Sequence, residues 1–137
     1  MSLILAALQP VCDAPIAKLT GRGLGHTGGT ADKLETIPGL DLCVGKEQAI
    51  RLLEKVGMVV ATASAEVAPA DRRFYALRNV TATVESLPLI VSSILSIKLA
   101  VGASRLMFDV KTGNGAFFAD QERAVTLASL LVRTAES

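Results

Sequence analysis

Apolar and polar positions follow two alternating periods along the chain. From Ser2 to Cys12 the apolar spacing is helical, with Ser2 as N-cap. Ala14 to Thr20 is a mostly apolar strand, and a glycine-rich loop follows it. A short helix-like piece, Ala31 to Thr36, ends at Ile37-Pro38. Ile37 to Gly45 reads as a loop with room for a short strand. Lys46 to Val56 is an amphipathic helix that turns Ile50, Leu52, Leu53 and Val56 inward and stops at Gly57. Met58 to Thr62 is a β-branched run and a buried strand. Val67 to Ala70 is a loop marked by Pro69, after which Asp71 caps a helix from Arg72 to about Val80. Ser86 starts the longest helix, with Pro88 in its first turn and Gly102 beyond its end near Ala100. Arg105 to Val110 is a strand, Lys111 to Ala116 a second glycine-rich turn, and Ala119 to about Ala135 the last helix.

Strands alternating with helices predict an α/β fold, part of a largely parallel or mixed sheet flanked by helices. Three or four strands make a small sheet with both edges open. The 137 residues suffice for one domain, without internal repeat or linker. Half of them are hydrophobic, which is apolar for a small free-standing domain. The expectation is that some of that surface belongs against further chain or a partner subunit, and that the piece alone is marginally stable and self-associates.

Charge and cysteine content narrow the function. Net charge is +1, with basic and acidic residues interspersed, so a nucleic-acid partner is not expected. Cys12 and Cys43 share no metal-ligand spacing and the chain has one histidine, which argues against zinc. The expectation is two buried thiols in a reduced cytoplasm. Met1 to Leu8 lacks the basic start of a signal peptide, and Gln9-Pro10 interrupts it. Leu87 to Val101 is too short to span a bilayer and carries Ser92, Ser93, Ser96 and Lys98. These point to a cytoplasmic chain without a membrane partner.

The candidate chemistry lies in the run Lys18 to Glu35, where five glycines and three threonines sit between the first strand and the short helix. Glycines let the backbone approach a ligand, loop N–H groups and the helix start attract anions, and hydroxyls add donors. This is a phosphate-handling pattern. Gly23-Leu-Gly-His-Thr-Gly28 also fits a dinucleotide fingerprint with Asp41 at the right distance, but that fold needs a full helix after the last glycine. Gly29 and Ile37-Pro38 leave room for only about two turns.

Four blocks together are more specific. Thr20-Gly-Arg-Gly-Leu-Gly-His-Thr-Gly-Gly-Thr-Ala-Asp-Lys-Leu-Glu35 resembles the signature of the thymidine phosphorylase and pyrimidine-nucleoside phosphorylase family. Tyr75-Ala-Leu-Arg-Asn-Val-Thr-Ala-Thr-Val84, Ser86-Leu-Pro-Leu-Ile90 with Ser93-Ile-Leu95, and Asp109-Val-Lys-Thr-Gly-Asn-Gly-Ala-Phe117 follow in the family's order and spacing. The resemblance implies homodimers that cleave a pyrimidine nucleoside with inorganic phosphate as co-substrate, giving free base and (deoxy)ribose 1-phosphate, with no cofactor. It implies a small helical domain and a larger α/β domain, and places residues 1–137 as a single partial domain, the first half of the larger one. Anthranilate phosphoribosyltransferase shares the general fold, but its glycine motifs differ from the Gly-His-Thr-Gly-Gly-Thr found here.

The resemblance assigns roles by position. Thr20 stands where the family has a phosphate-binding serine, Thr30 matches a second phosphate hydroxyl, and Ser2 falls at the spacing of a third. Arg78 and Ser93 match residues that hold the pyrimidine. Leu24, Val84, Ile90, Ile94 and Phe117 match its apolar lining. Taken without the family, Arg78 has an alternative as an ion pair with Glu85 or Asp71, Ser93 as a hydroxyl bonded back to its own helix, and Phe117 as plain core.

Two departures bear on catalysis. The family's Lys-His-Ser-x-Gly-Gly phosphate loop, with its lysine and the histidine that assists the leaving base, does not occur in these residues. His26 belongs to the glycine signature, where a structural role is expected. The family's pyrimidine-contacting lysine is replaced by Ile97. Ser93 and position 97 lie about 40° apart on one helix face, whereas Lys98 lies about 140° from Ser93. The expectation is that these residues alone do not turn over. The alternatives are a weak phosphate-binding module or a remnant without catalysis.

Overall fold

A computed structural model describes every residue except 1, 25–27, 64–66 and 103–104. It confirms the α/β class and divides the chain into two compact units, Met1–Pro69 and Ala70–Ser137.

The first unit holds α1 (Ser2–Val11), β1 (Ile16–Thr20), α2 (Thr30–Leu34), α3 (Lys46–Val56) and β2 (Met58–Thr62). The strands are parallel, in register from Ile16 opposite Met58 to Thr20 opposite Thr62. Both therefore end at one edge of the sheet, and the glycine loop leaves from that edge. Helices α1 and α3 pack against the strands. In β2, Val59 and Ala61 are buried on one face. Val60 faces the other way and packs against Ala31 and Leu34 of α2 and Leu42. Cover on both faces is what a β-branched parallel strand needs. Gly57 ends α3 with φ +71, and a Cβ there would lie 2.9 Å from Pro10 Cβ, so both conformation and space require glycine.

The second unit holds α4 (Pro69–Arg78), α5 (Leu87–Ala100) and α6 (Gln121–Ala135). Its core is Val91 and Leu95 of α5, Leu127 and Leu131 of α6, and Phe118. Asp120 caps α6, its carboxylate accepting from the Glu122 N–H at 2.9 Å.

Several sequence expectations need correction. Helix α4 starts at Pro69, so Asp71 sits inside its first turn rather than capping it. Proline is preset for that first position and loses no helical hydrogen bond there. Helix α6, with 15 residues, is longer than α5, with 14. Residues 105–110 are extended but unpaired, so the described residues hold a two-stranded sheet and not three or four strands. Leu106, Phe108 and Val110 do pack on the core while Met107 is exposed, so the period of two is real and only a partner strand is missing. On α3, Ile50 and Val56 are exposed and Leu52 and Leu53 are partly buried. Cys12 and Cys43 are exposed free thiols, because each lies in a connection outside the packed elements. No helix among the described residues is long and apolar enough to cross a membrane.

Candidate functional site

The glycine loop folds back on itself. A Cβ on Gly29 would lie 2.5 Å from Gly21 O, 2.6 Å from Arg22 C and 2.6 Å from Gly23 N. The backbone at Gly29 therefore rests directly on the backbone that follows β1. Thr20 precedes one side of this contact and Thr30 follows the other, so the contact sets the two hydroxyl-bearing residues. Neither hydroxyl is hydrogen-bonded among the described residues. Thr62, beside Thr20 at the sheet edge, is different: its hydroxyl donates to Leu42 O at 3.2 Å. Leu24 is buried in the loop. Ser2 opens α1 but its side chain lies outside the described structure, and His26 lies outside the described residues. Helix α2 has only five residues, which removes the dinucleotide alternative and leaves little helix dipole to act on an anion.

Sequence reasoning missed Asp32. Its Oδ2 accepts the Gly23 N–H at 2.7 Å and the Gly29 N–H at 2.8 Å. Arg22 Nη1 lies 3.6 Å from its Oδ1, and Arg22 Nη2 donates to Glu35 Oε1 at 2.8 Å. The Gly29-x-x-Asp32 spacing was the available signal, since an acidic residue at the third helical position reaches back to the N-cap N–H. The Gly23 and Gly29 N–H bonds hold the Asp32 carboxyl below its usual 3.8; partial removal from water opposes them, and Arg22 and Lys33 lower it further. A depressed folded pKa means that the contribution is present above 3.8 and is lost as pH falls through the folded value. The Gly23 and Gly29 amide resonances are thus expected to titrate with a midpoint below 3.8. Asp32→Asn should abolish that titration; an amide midpoint at or above 3.8 would contradict the two bonds.

The pyrimidine set falls mostly in the second unit. Arg78 ends α4 and is only 5% exposed. Its guanidinium donates to the Val84 carbonyl and lies 5.8 Å from the centre of the Tyr75 ring. Its Nε is buried without a partner. Neither carboxylate proposed as its mate fills that role: Glu85 lies 3.4 Å from Arg123 instead, and no ion pair joins Arg78 to Asp71. Tyr75 was recoverable from sequence as the i−3 neighbour of Arg78 on a helix; Arg123, whose guanidinium also lies 4.6 Å from the Phe118 ring centre, had no sequence signal.

Ser93 is buried on α5, and its neighbours Ser92 and Ser96 are the ones that bond back to helix carbonyls. Ile90 and Ile94 pack at the margin of the core, and Ile97 is partly buried. Phe117 is exposed, so it is not plain core, and it meets Phe118 edge-on at 5.0 Å. The structure thus joins Arg78 to Val84 by a hydrogen bond and sets Ser93 on one helix with Ile90 and Ile94. Leu24 belongs to the first unit with Thr20 and Thr30. Among the described residues no group of three His, Cys, Asp or Glu side chains converges to hold a metal.

Residues 1–137 match the family described as "Glycosyl transferase family, a/b domain". The chain is 50% identical over 135 residues to the thymidine phosphorylase of Rhizobium meliloti (strain 1021), covering 98% of the chain and 31% of that protein. It is 50% identical over 132 residues to the pyrimidine-nucleoside phosphorylase of Bacillus subtilis (strain 168), covering 96% and 30%. Against the thymidine phosphorylase of Mus musculus it is 50% identical over 137 residues, covering 100% and 29%. The likeness therefore extends through both compact units, and the chain spans under a third of each relative's length.

Proposed function

Because the chain belongs to the glycosyl transferase family, through its a/b domain, we propose that it serves the phosphorolysis of pyrimidine nucleosides, thymidine or uridine. In this reaction a phosphate oxygen bonds to C1′ of the sugar as the bond from C1′ to the base nitrogen breaks. The base leaves with the electron pair of that bond and takes up a proton, and the sugar becomes (deoxy)ribose 1-phosphate. Positive charge develops on the sugar and negative charge on the base, so the protein must supply donors to both phosphate and base.

Arg78 carries the proposal. A guanidinium buried to this degree, with one carbonyl, one ring and an unpartnered Nε, is a cation short of an anion. Such a group gains most when negative charge arrives beside it, as it does on a departing pyrimidine. In the same proposal Ser2, Thr20 and Thr30 donate to phosphate, Ser93 donates to the base, and Leu24, Val84, Ile90, Ile94 and Phe117 give the ring an apolar lining. Inorganic phosphate is the co-substrate and no cofactor takes part. The relatives' names support the substrate class. The share of their length that is matched supports residues 1–137 as part of a longer protein, and in this proposal they are the first half of an α/β domain. A homodimer acting in cytoplasmic pyrimidine salvage completes the proposal.

Ile97 favours a second reading, ligand binding without turnover, because the resemblance puts a base-contacting lysine there. Release of free base from thymidine and uridine, with and without phosphate, separates the two. Phosphate-dependent release by the protein at its natural length supports phosphorolysis; a phosphate isotherm without release supports the second reading; neither result rejects both. Ile97→Lys adds a cation one turn from Ser93 and is expected to raise kcat about 100-fold, the scale on which a single transition-state donor acts. An unchanged kcat would mean that position 97 does not face the leaving base.

A further inference from the structure

Asp32 has no role in the chemistry above, yet its carboxylate fills the position where a glycine-rich loop ordinarily holds an anion. Converging loop N–H groups make an anion-binding concavity. Here one oxygen of the chain's own carboxylate accepts two of them, Gly23 N–H at 2.7 Å and Gly29 N–H at 2.8 Å. While Asp32 is bonded there, these two amides are not available to phosphate. Those bonds also tie the segment after β1 to the start of α2 across the Gly21–Gly29 backbone contact. That contact lies between Thr20 and Thr30. Asp32 does not stand as a bare charge: Arg22 faces its second oxygen at 3.6 Å and is shared with Glu35, and Lys33 follows it on α2.

We propose that Asp32 is a positioning residue: it closes the glycine loop through the Gly23 and Gly29 amides and thereby holds the Thr20 and Thr30 hydroxyls at the separation that phosphate requires. The clamp rests on geometry alone, and its consequence for phosphate rests on the phosphorolysis proposed above. Phosphate then meets the Thr20 and Thr30 hydroxyls and not the Gly23 and Gly29 amides. The carboxylate matters for where it puts an acceptor, so a neutral acceptor of the same shape should serve.

Asp32→Ala and Asp32→Asn, made in the protein at its natural length, test this. In Asp32→Ala, hydrogen exchange at the Gly23 and Gly29 amides is expected to accelerate about 100-fold while the β1–β2 ladder keeps its protection. The KM for phosphate should rise about tenfold, with kcat and the nucleoside KM within about twofold of wild type. Asp32→Asn keeps an oxygen that can accept both N–H groups and should recover most of the loss at neutral pH. Unchanged exchange at both amides in Asp32→Ala overturns the clamp, and so does an equal rise of both KM values. If the wild-type protein releases no base, the phosphorolysis proposal fails by itself. A phosphate titration then decides the positioning role: a weaker isotherm in Asp32→Ala upholds it, and an unchanged or tighter one, with phosphate entering the vacated amides, overturns it.

Discussion

Arg78→Met is expected to lower phosphorolysis at least 100-fold while changing stability little, so that activity and folding part company. On the proposed function, the activity loss follows from removing the cation assigned to the departing base, the one buried among the described residues, and loss of a single such stabiliser typically costs about 100- to 1,000-fold in kcat. The stability effect is small because two changes oppose each other. Methionine removes a buried charge that has no carboxylate among the described residues, and replacing buried charge with an apolar side chain of similar volume is often neutral or stabilising. Against this, the Val84 carbonyl loses its donor and the Tyr75 ring loses its cation. A hydrogen bond from a charged group contributes about 1.5–3 kcal/mol, which sets the size of the opposing change. Arg78→Lys keeps charge without the planar fork and should retain only part of the activity. Denaturant midpoints measured beside kcat decide the matter. If kcat and midpoint fell together in Arg78→Met, the residue would be a structural tie between α4 and the turn at Val84, with no direct part in the chemistry.

Gly29→Ala is the second large effect, this time on the fold of the loop. The φ of Gly29 is −77°, open to any residue, so backbone conformation is not the obstacle. The obstacle is space: a methyl group would sit 2.5–2.6 Å from three backbone atoms of residues 21–23, and backbone cannot swing aside as a side-chain tip can. Overpacking of this kind costs about 1–3 kcal/mol. Relief by separating the two segments would break both Asp32 bonds and move Thr30 from Thr20. The neighbouring glycines are the controls. A Cβ on Gly21 meets nothing within 4 Å, and one on Gly28 meets only Lys33 Cε at 3.8 Å. Gly21→Ala and Gly28→Ala are expected to stay within about 0.5 kcal/mol of wild type, as open surface substitutions usually do. Unfolding midpoints for the three variants check this, and three equal values would contradict the backbone contact.

The glycine run was read from sequence as an approach path for phosphate, and at Gly29 the physical reason is different. The close approach is of the chain to itself, and the anion in the loop is Asp32. A one-dimensional pattern of glycines records that backbones come close without saying what they come close to. In the same way Arg78 and Ser93 could be selected from their blocks. That Arg78 would be buried without a carboxylate, with Glu85 taken by Arg123, depends on a pairing 38 residues apart in sequence, which no local pattern encodes.

Local periodicity determined what local forces control. Helix α3 matches its predicted span because its apolar period and a left-handed Gly57 act within a few residues. β2 is where its β-branched run lies, and the α/β class follows from the order of elements. Tertiary structure alone decided the rest. Leu106, Phe108 and Val110 set an extended backbone by alternation, but a strand exists only when another strand offers its hydrogen-bonding edge, and the described residues offer none there. The inward face of α3 excludes Ile50 and Val56, which stay exposed where the described residues give a sheet of two strands. The Asp32 clamp needs Gly23 and Gly29 to meet across a folded loop. Propensity acts along the chain, whereas pairing, cover and charge compensation act through space, and the candidate site is built from the second kind.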